Sequence, residues 1–190
     1  MIQGQCIAIT GTSRGLGASL LDGLCQHNQI VSLNRPDYDL SDVTTLSEID
    51  FAKTDCLILN AADETFGKVV DTDFSDLARM VQVNLLGNLY LIQQYIKQRS
   101  HGTVVIITSR LAHETTDSCC VYSAVKTALS KLVLNLRLEY PAMRFVEIAP
   151  SRTRSTDQDS NVIKKVSSYK QVADAVIYSL HNTKIDYIRF

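Results

Sequence analysis

A serine, a tyrosine and a lysine have the types and spacing in this chain that suit proton transfer. Tyr122 and Lys126 stand four residues apart in Tyr-Ser-Ala-Val-Lys, so a helix through them projects both from one face. A phenol with a free pKa of about 10 is a poor base at neutral pH, and a fixed ammonium beside it favours the phenolate. Ser109, just past the apolar run Val104-Val105-Ile106-Ile107, brings a hydroxyl that can hold the oxygen whose proton is exchanged. Together the three make an acid/base site for carbonyl chemistry.

Such a site needs a strand that ends at Ser109 and a helix that starts near Tyr122. The β-branched run 104–107 after Gly102 predicts a buried parallel strand. The segment Tyr122 to Glu139 predicts a helix with Leu129, Leu132, Val133 and Leu136 on its apolar face, joined to that strand by the polar link His113 to Ser118. Further strands are expected at residues 5–9, 30–33, 56–59 and 144–148, with a terminal one at 185–190. Helical patterns run through Leu20, Leu21 and Leu24, from about Phe74 to Gln98, and from about Lys170 to His181. Asn84 falls inside the second of these, where an asparagine is either a backbone-bonding residue in a kink or a site residue. Residues 151–168 are polar and read as a short, mobile loop on the substrate side. Strands alternate with helices throughout. The expected fold is one α/β domain over residues 1–190, a Rossmann-type doubly wound parallel sheet of about six to seven strands with helices on both faces.

The first strand runs into Thr10-Gly11-Thr12-Ser13-Arg14-Gly15-Leu16-Gly17 and then into a helix. Glycines in such a turn let a phosphate approach the main chain, and the helix amino end supplies N–H groups for it, although a turn of this kind alone is also just a tight turn. The second strand ends at Asn34-Arg35-Pro36, with no acid to select a ribose 2′-hydroxyl. Arg35, with Arg14, favours a phosphorylated dinucleotide unless both are ordinary surface charges. Asn60-Ala61-Ala62 closes the third strand with small residues that let backbone lie against a ligand.

Composition narrows the classes. A formal net charge of −1 over 190 residues, without a basic run, gives no footing for nucleic acid. No apolar stretch approaches the roughly 20 residues of a membrane helix, so a soluble, cytoplasmic protein is expected. Five cysteines, an odd number without zinc-site spacing, read as reduced thiols, with Cys6 and Cys56 as small core residues. For Cys119 and Cys120 the reading is that one packs and the other is exposed, the alternatives being a pocket-lining or redox role. His113 and Glu114 belong either to a solvated loop or to the substrate's surroundings.

Taken in order, Thr10-Gly11-x-x-x-Gly15-x-Gly17, Asn60-Ala61-Ala62, Asn84, Ser109 and Tyr122-x-x-x-Lys126 resemble the motifs of the short-chain dehydrogenase/reductase family over nearly the whole chain. The resemblance implies a general acid/base at Tyr122, a substrate-oxygen contact at Ser109, and a nicotinamide-ribose contact at Lys126 that also lowers the tyrosine pKa. It puts Asn84 in a proton relay through a water. By the same likeness Gly11, Ser13, Arg14, Gly15, Leu16 and Gly17 meet the cofactor phosphates. Asn34 and Arg35 meet the adenosine end, Asp39 and Leu40 the adenine, Asn60, Ala61 and Ala62 the nearer ribose, and Pro150 and Ser151 the nicotinamide. Ala62 and Ser151 stand where the family usually writes glycine. The chain is shorter than the family's usual length of about 250 residues, a size still within one α/β domain. The deficit lies before Cys56, where a crossover looks trimmed, and after Pro150, where family members carry a substrate lid.

The function so implied is an NADP(H)-dependent carbonyl reductase or alcohol dehydrogenase acting on a small carbonyl or alcohol substrate. Its apolar helix stripes are expected to join a homodimer or homotetramer. The alternative is an NADP(H)-binding sensor or assembly subunit without efficient catalysis, suggested by the short lid and the two altered glycines. An epimerase or dehydratase is a third option, disfavoured by its related enzymes' larger size.

Overall fold

The computed structural model describes residues 2–154 and 166–190, and at 152–154 and 166 the backbone alone. Among the described residues, strands and helices follow in the order β1 (Cys6–Thr10), α1 (Gly15–Leu24), β2 (Gln29–Leu33), β3 (Cys56–Leu59), α2 (Phe74–Val81), α3 (Asn88–Gln98), β4 (Gly102–Ile107), α4 (Cys120–Glu139), β5 (Met143–Ala149), β6 (Arg152–Arg154), β7 (Val166–Ser168), α5 (Tyr169–His181) and β8 (Tyr187–Arg189). Six strands form a parallel sheet in the order β2-β1-β3-β4-β5-β8. Between β2 and β3 the chain makes only a 3-10 turn at Val43–Leu46, which is the shortened crossover seen in the sequence.

Alternation along each strand builds two cores. Ile7, Ile9, Val105, Ile107, Val146 and Ile148 face α1 and α5, where they meet Leu20, Leu24, Val172 and Val176. Ala8, Val104, Ile106 and Phe145 face the other way, onto Leu91, Ile92 and Tyr95 of α3 and Leu129, Val133 and Leu136 of α4. A period of two on the strands, matched to a helical period on each side, places helices on both faces. The chain leaves β1 toward β2 and returns to the far side of β1 as β3. Strand order therefore reverses there and opens a crevice at the carboxyl ends of β1 and β3.

Three expectations change. Residues 151–168 are not one loop, because Arg152–Arg154 and Val166–Ser168 pair as a separate two-stranded ladder. The remainder of that segment, 155–165, lies outside the described residues. The long helix expected from Phe74 to Gln98 is interrupted by a π-helical turn at Gln82–Gly87. Cys56 is buried as expected, whereas Cys6, at the strand's first position, is half-buried. No helix among the described residues is long and apolar enough to cross a membrane.

Candidate active site

The end of β4 delivers Thr108 and Ser109 into a 3-10 turn, Arg110–Ala112. Ser109 caps that turn, its Oγ accepting from the Leu111 amide at 3.2 Å. Helix α4 then grips the turn: Ser123 Oγ donates to the Leu111 carbonyl at 2.6 Å and Thr127 Oγ1 to the Ala112 carbonyl at 3.0 Å. The Arg110 amide donates to the Pro150 carbonyl at 2.8 Å, tying the turn to the end of β5. Because α4 starts at Cys120, Tyr122 and Lys126 lie in its first two turns and both point inward, 6% and 3% exposed.

Lys126 Nζ donates to the Ile107 carbonyl at 2.9 Å and stands 5.6 Å from the centre of the Tyr122 ring. Burial brings the ammonium down to a pKa of about 8, an effect that the Glu64 carboxylate opposes. The Tyr122 phenol moves up, through burial first and then the Glu64 charge, while a hydrogen bond with Ser109 pulls it down. Lys126 is not among the groups that act on Tyr122 in the chain alone, where burial and Glu64 hold the phenol up. Tyr122 is held neutral in the chain alone.

Glu64 and its neighbour Phe66 escaped the sequence reading because they lie in an aperiodic stretch after β3. The Phe66 ring, 57% exposed, meets the Tyr122 ring edge-on with centroids 5.4 Å apart. The Gly67 amide donates to the Ser118 carbonyl at 2.7 Å, pinning this loop to the approach of α4. Behind Tyr122 lie Met80 and Cys119. Cys119 is buried and Cys120 exposed, as the packing reading has it.

Asn84 sits in the π turn, fully buried, and clamps the same loop from its other side. Its Oδ1 accepts from the Asp63 amide and its Nδ2 donates to the Asp63 carbonyl, both at 2.7 Å. Asn84 thus bonds backbone at an irregular helical turn, as one of its two sequence readings has it. The Asn84 carbonyl, displaced from regular helix bonding by the π turn, accepts from Asn88 Nδ2 at 2.8 Å. Asn88 Oδ1 is buried without a hydrogen-bond partner among the described residues.

The glycine turn lies in the crevice between β1 and β3. Gly11 takes φ +72° beneath Ala61, and a Cβ on Gly17 would stand 1.9 Å from the Gly11 carbonyl oxygen, so the turn closes only with glycine there. Helix α1 starts after Arg14 with no side-chain cap, which leaves its first amides free to meet an anion. Leu16 packs beneath, in the α1 core, while Ser13 and Arg14 are exposed at the mouth. This cradle fits the diphosphate of a dinucleotide.

Several residues assigned to the cofactor by resemblance carry structural duties as well. Asn34 spends both ends of its amide on Thr12, accepting from its N–H and donating to its Oγ1 at 2.8 Å each, and so clamps the glycine turn to β2. Asn60 Nδ2 donates to the carbonyls of Thr10 and Gly11 at 3.0 Å, and Thr10 Oγ1 accepts from the amides of Asn60 and Ala61. Asp39 Oδ1 accepts from the Ser41 amide, which with the Ser41 hydroxyl and nearby Arg35 holds its carboxyl below the usual range despite opposing burial. Leu40 is core, its carbonyl packed on Gly87. Arg35 and Ala62 are exposed, whereas Pro150 and Ser151 are buried, with Ser151 Oγ 3.0 Å from Ser167 Oγ.

The sequence as a whole settles the lineage. The family described as short chain dehydrogenase matches residues 37–167, more than half of the chain. The chain belongs to that family. Its matched stretch holds Asn84, Ser109, Tyr122 and Lys126, while the glycine turn precedes it. An uncharacterized oxidoreductase of Staphylococcus epidermidis is 26% identical over 211 aligned positions, covering 94% of this chain and 92% of the relative. Another, from Schizosaccharomyces pombe, is 25% identical and covers 77% of this chain and 70% of its own length. In fold, a short chain dehydrogenase from Burkholderia cenocepacia, solved in complex with NADP, superposes with TM-score 0.84 at 22% identity, covering 98% of this chain and 88% of that one. Aldohexose dehydrogenase of Thermoplasma acidophilum does so with TM-score 0.83 at 18% identity over 98% and 93%. The chain is thus an oxidoreductase of this family by descent, with the family's nucleotide-binding fold.

Proposed function

We propose that the protein is an NADP(H)-dependent carbonyl reductase in which Tyr122 is the proton donor. The observation that carries this is the convergence of Ser109, Tyr122 and buried Lys126 at the carboxyl end of β4, beside the phosphate cradle. NADPH bound there supplies the hydride. The chain's own residues supply the rest. Ser109 Oγ, fixed by its place in the turn, holds the carbonyl oxygen of the substrate. Tyr122, neutral for the reasons above, gives that oxygen a proton as negative charge develops on it. The Lys126 ammonium, anchored on the Ile107 carbonyl, stabilises the phenolate left behind and offers its remaining N–H groups to the ribose. A neutral Tyr122 suits reduction, because oxidation of an alcohol requires the phenolate first.

Ser13, Arg14 and the first amides of α1 bind the diphosphate, and Arg35, exposed at the end of β2, takes the 2′-phosphate. Asp39, whose carboxyl is held down first by the Ser41 hydrogen bonds and only last by the charge of exposed Arg35, leaves that guanidinium available to a phosphate. NADPH and NADH titrations of wild type and Arg35→Ala test this. NADPH affinity is expected to fall about tenfold or more in the variant, the loss of one charge-assisted pair, with NADH affinity unchanged. Equal loss of both nucleotides, or of neither, contradicts the assignment.

A further inference from the structure

The turn that carries Ser109 is also held from within the sheet by a buried carboxylate. Glu147 lies in β5 between Val146 and Ile148, which face α1 and α5, so its side chain enters the opposite layer beneath α4. It is 2% exposed. A carboxylate so far from water is retained only where donors meet it. Its Oε1 accepts from Thr108 Oγ1 at 2.8 Å and faces His113 Nε2 at 3.3 Å, and its Oε2 accepts from Ser130 Oγ at 3.1 Å.

Thr108 immediately precedes Ser109, and His113 immediately follows the Arg110–Ala112 turn. One carboxylate therefore holds both ends of the segment that presents Ser109. His113 is braced from outside by the Tyr187 ring of β8, edge-on at 5.8 Å between centroids. Glu114 is occupied by Arg110 at 3.2 Å and by Arg189 of β8. Both stand in an exposed loop, yet Glu114 is ion-paired and the His113 ring reaches Glu147.

We propose that Glu147, acting with His113, is a positioning residue that fixes Ser109 against Tyr122 for proton transfer. The proposal rests on the reductase reading given above. It touches neither substrate nor cofactor and acts through the geometry of the turn.

The variants His113→Phe and His113→Gln test it, since the first keeps an aromatic ring beside Tyr187 without a group for Glu147 and the second keeps a donor. Two readouts apply to each. Amide hydrogen exchange follows Arg110 and Ala112, whose N–H groups bond the Pro150 and Ser109 carbonyls at 2.8 and 2.9 Å, with the core amide of Val105 as control. Turnover is followed with NADPH and an aromatic 1,2-diketone as probe. In His113→Phe, protection at Arg110 and Ala112 is expected to fall about tenfold with Val105 unmoved. The kcat is expected to fall about 10- to 100-fold with KM for NADPH unchanged, the cost of a misplaced catalytic group. His113→Gln is expected to recover both. Unchanged exchange at the turn in His113→Phe, or an equal loss at Val105, overturns the proposal. Absence of turnover in wild type overturns the reductase reading instead, and the exchange result still decides whether the carboxylate fixes the turn.

Discussion

At the residue scale the site is governed by two charges, on Lys126 and Glu64, and a burial effect. Tyr122 and Lys126 are both driven toward their neutral forms by desolvation, and Glu64 acts on each, raising both. The sign of the resulting pH dependence follows directly. Lys126 is an ammonium below its pKa of about 8 and loses that charge as pH rises through it, so reduction is expected to slow on the alkaline side of that value. Replacing Glu64 by glutamine removes the negative charge that supports the ammonium, and the alkaline limb of the kcat profile should move to lower pH. The same change lowers the Tyr122 pKa. A limb that stays in place in Glu64→Gln would show that Lys126 is not the titrating group. Glu64 carries none of the motif signals that made Tyr122 and Lys126 legible, and only its place beside the phenol reveals its effect.

At the scale of elements, the six strands of the main sheet, the glycine turn and α4 were legible because each rests on a local rule: β-branched runs, turn glycines, and helical spacing of apolar residues. The bonding roles of Asn34 and Glu147 were not, because their partners depend on the fold. Asn34 bonds Thr12 across the β1–β2 pair, and Glu147 gathers Thr108, His113 and Ser130 from two other elements. The π turn at Gln82–Gly87 shows both sides of this limit. An asparagine inside a helical pattern flagged the irregularity, but that its amide would bond both backbone groups of Asp63 needed the tertiary structure. The glycine turn makes a sharp prediction at this scale. A Cβ at Gly17 would collide with the Gly11 carbonyl at 1.9 Å, and backbone there cannot yield without moving the amides of α1. Gly17→Ala is therefore expected to weaken NADPH binding at least about tenfold, or roughly 1.4 kcal/mol, in a fluorescence titration. Wild-type affinity in that variant would mean that the turn is not the phosphate cradle.

For the whole molecule, the sheet divides two cores and leaves the outer surfaces of α3 and α4 unusually apolar. Leu89 of α3 is 40% exposed, and Leu134 and Leu138 of α4 are 47% and 82% exposed, with Leu86 of the π turn at 46%. Scattered exposed leucines are ordinary, but several on α3, α4 and the π turn favour burial against a second copy through a symmetric contact. Sedimentation at micromolar concentration is expected to show a species larger than the 21.1 kDa chain, and Leu138→Glu to shift it toward the monomer. A single 21.1 kDa species in wild type would contradict this.

The central claim, that Tyr122 donates the proton in an NADPH-dependent reduction, is tested most directly by comparing wild type with Tyr122→Phe. Both would be titrated with NADPH and then assayed with the same diketone probe. The variant is expected to bind NADPH as wild type does while its kcat falls at least about a hundredfold, the contribution of a positioned general acid. Turnover at the wild-type rate with a phenylalanine in that position would contradict it.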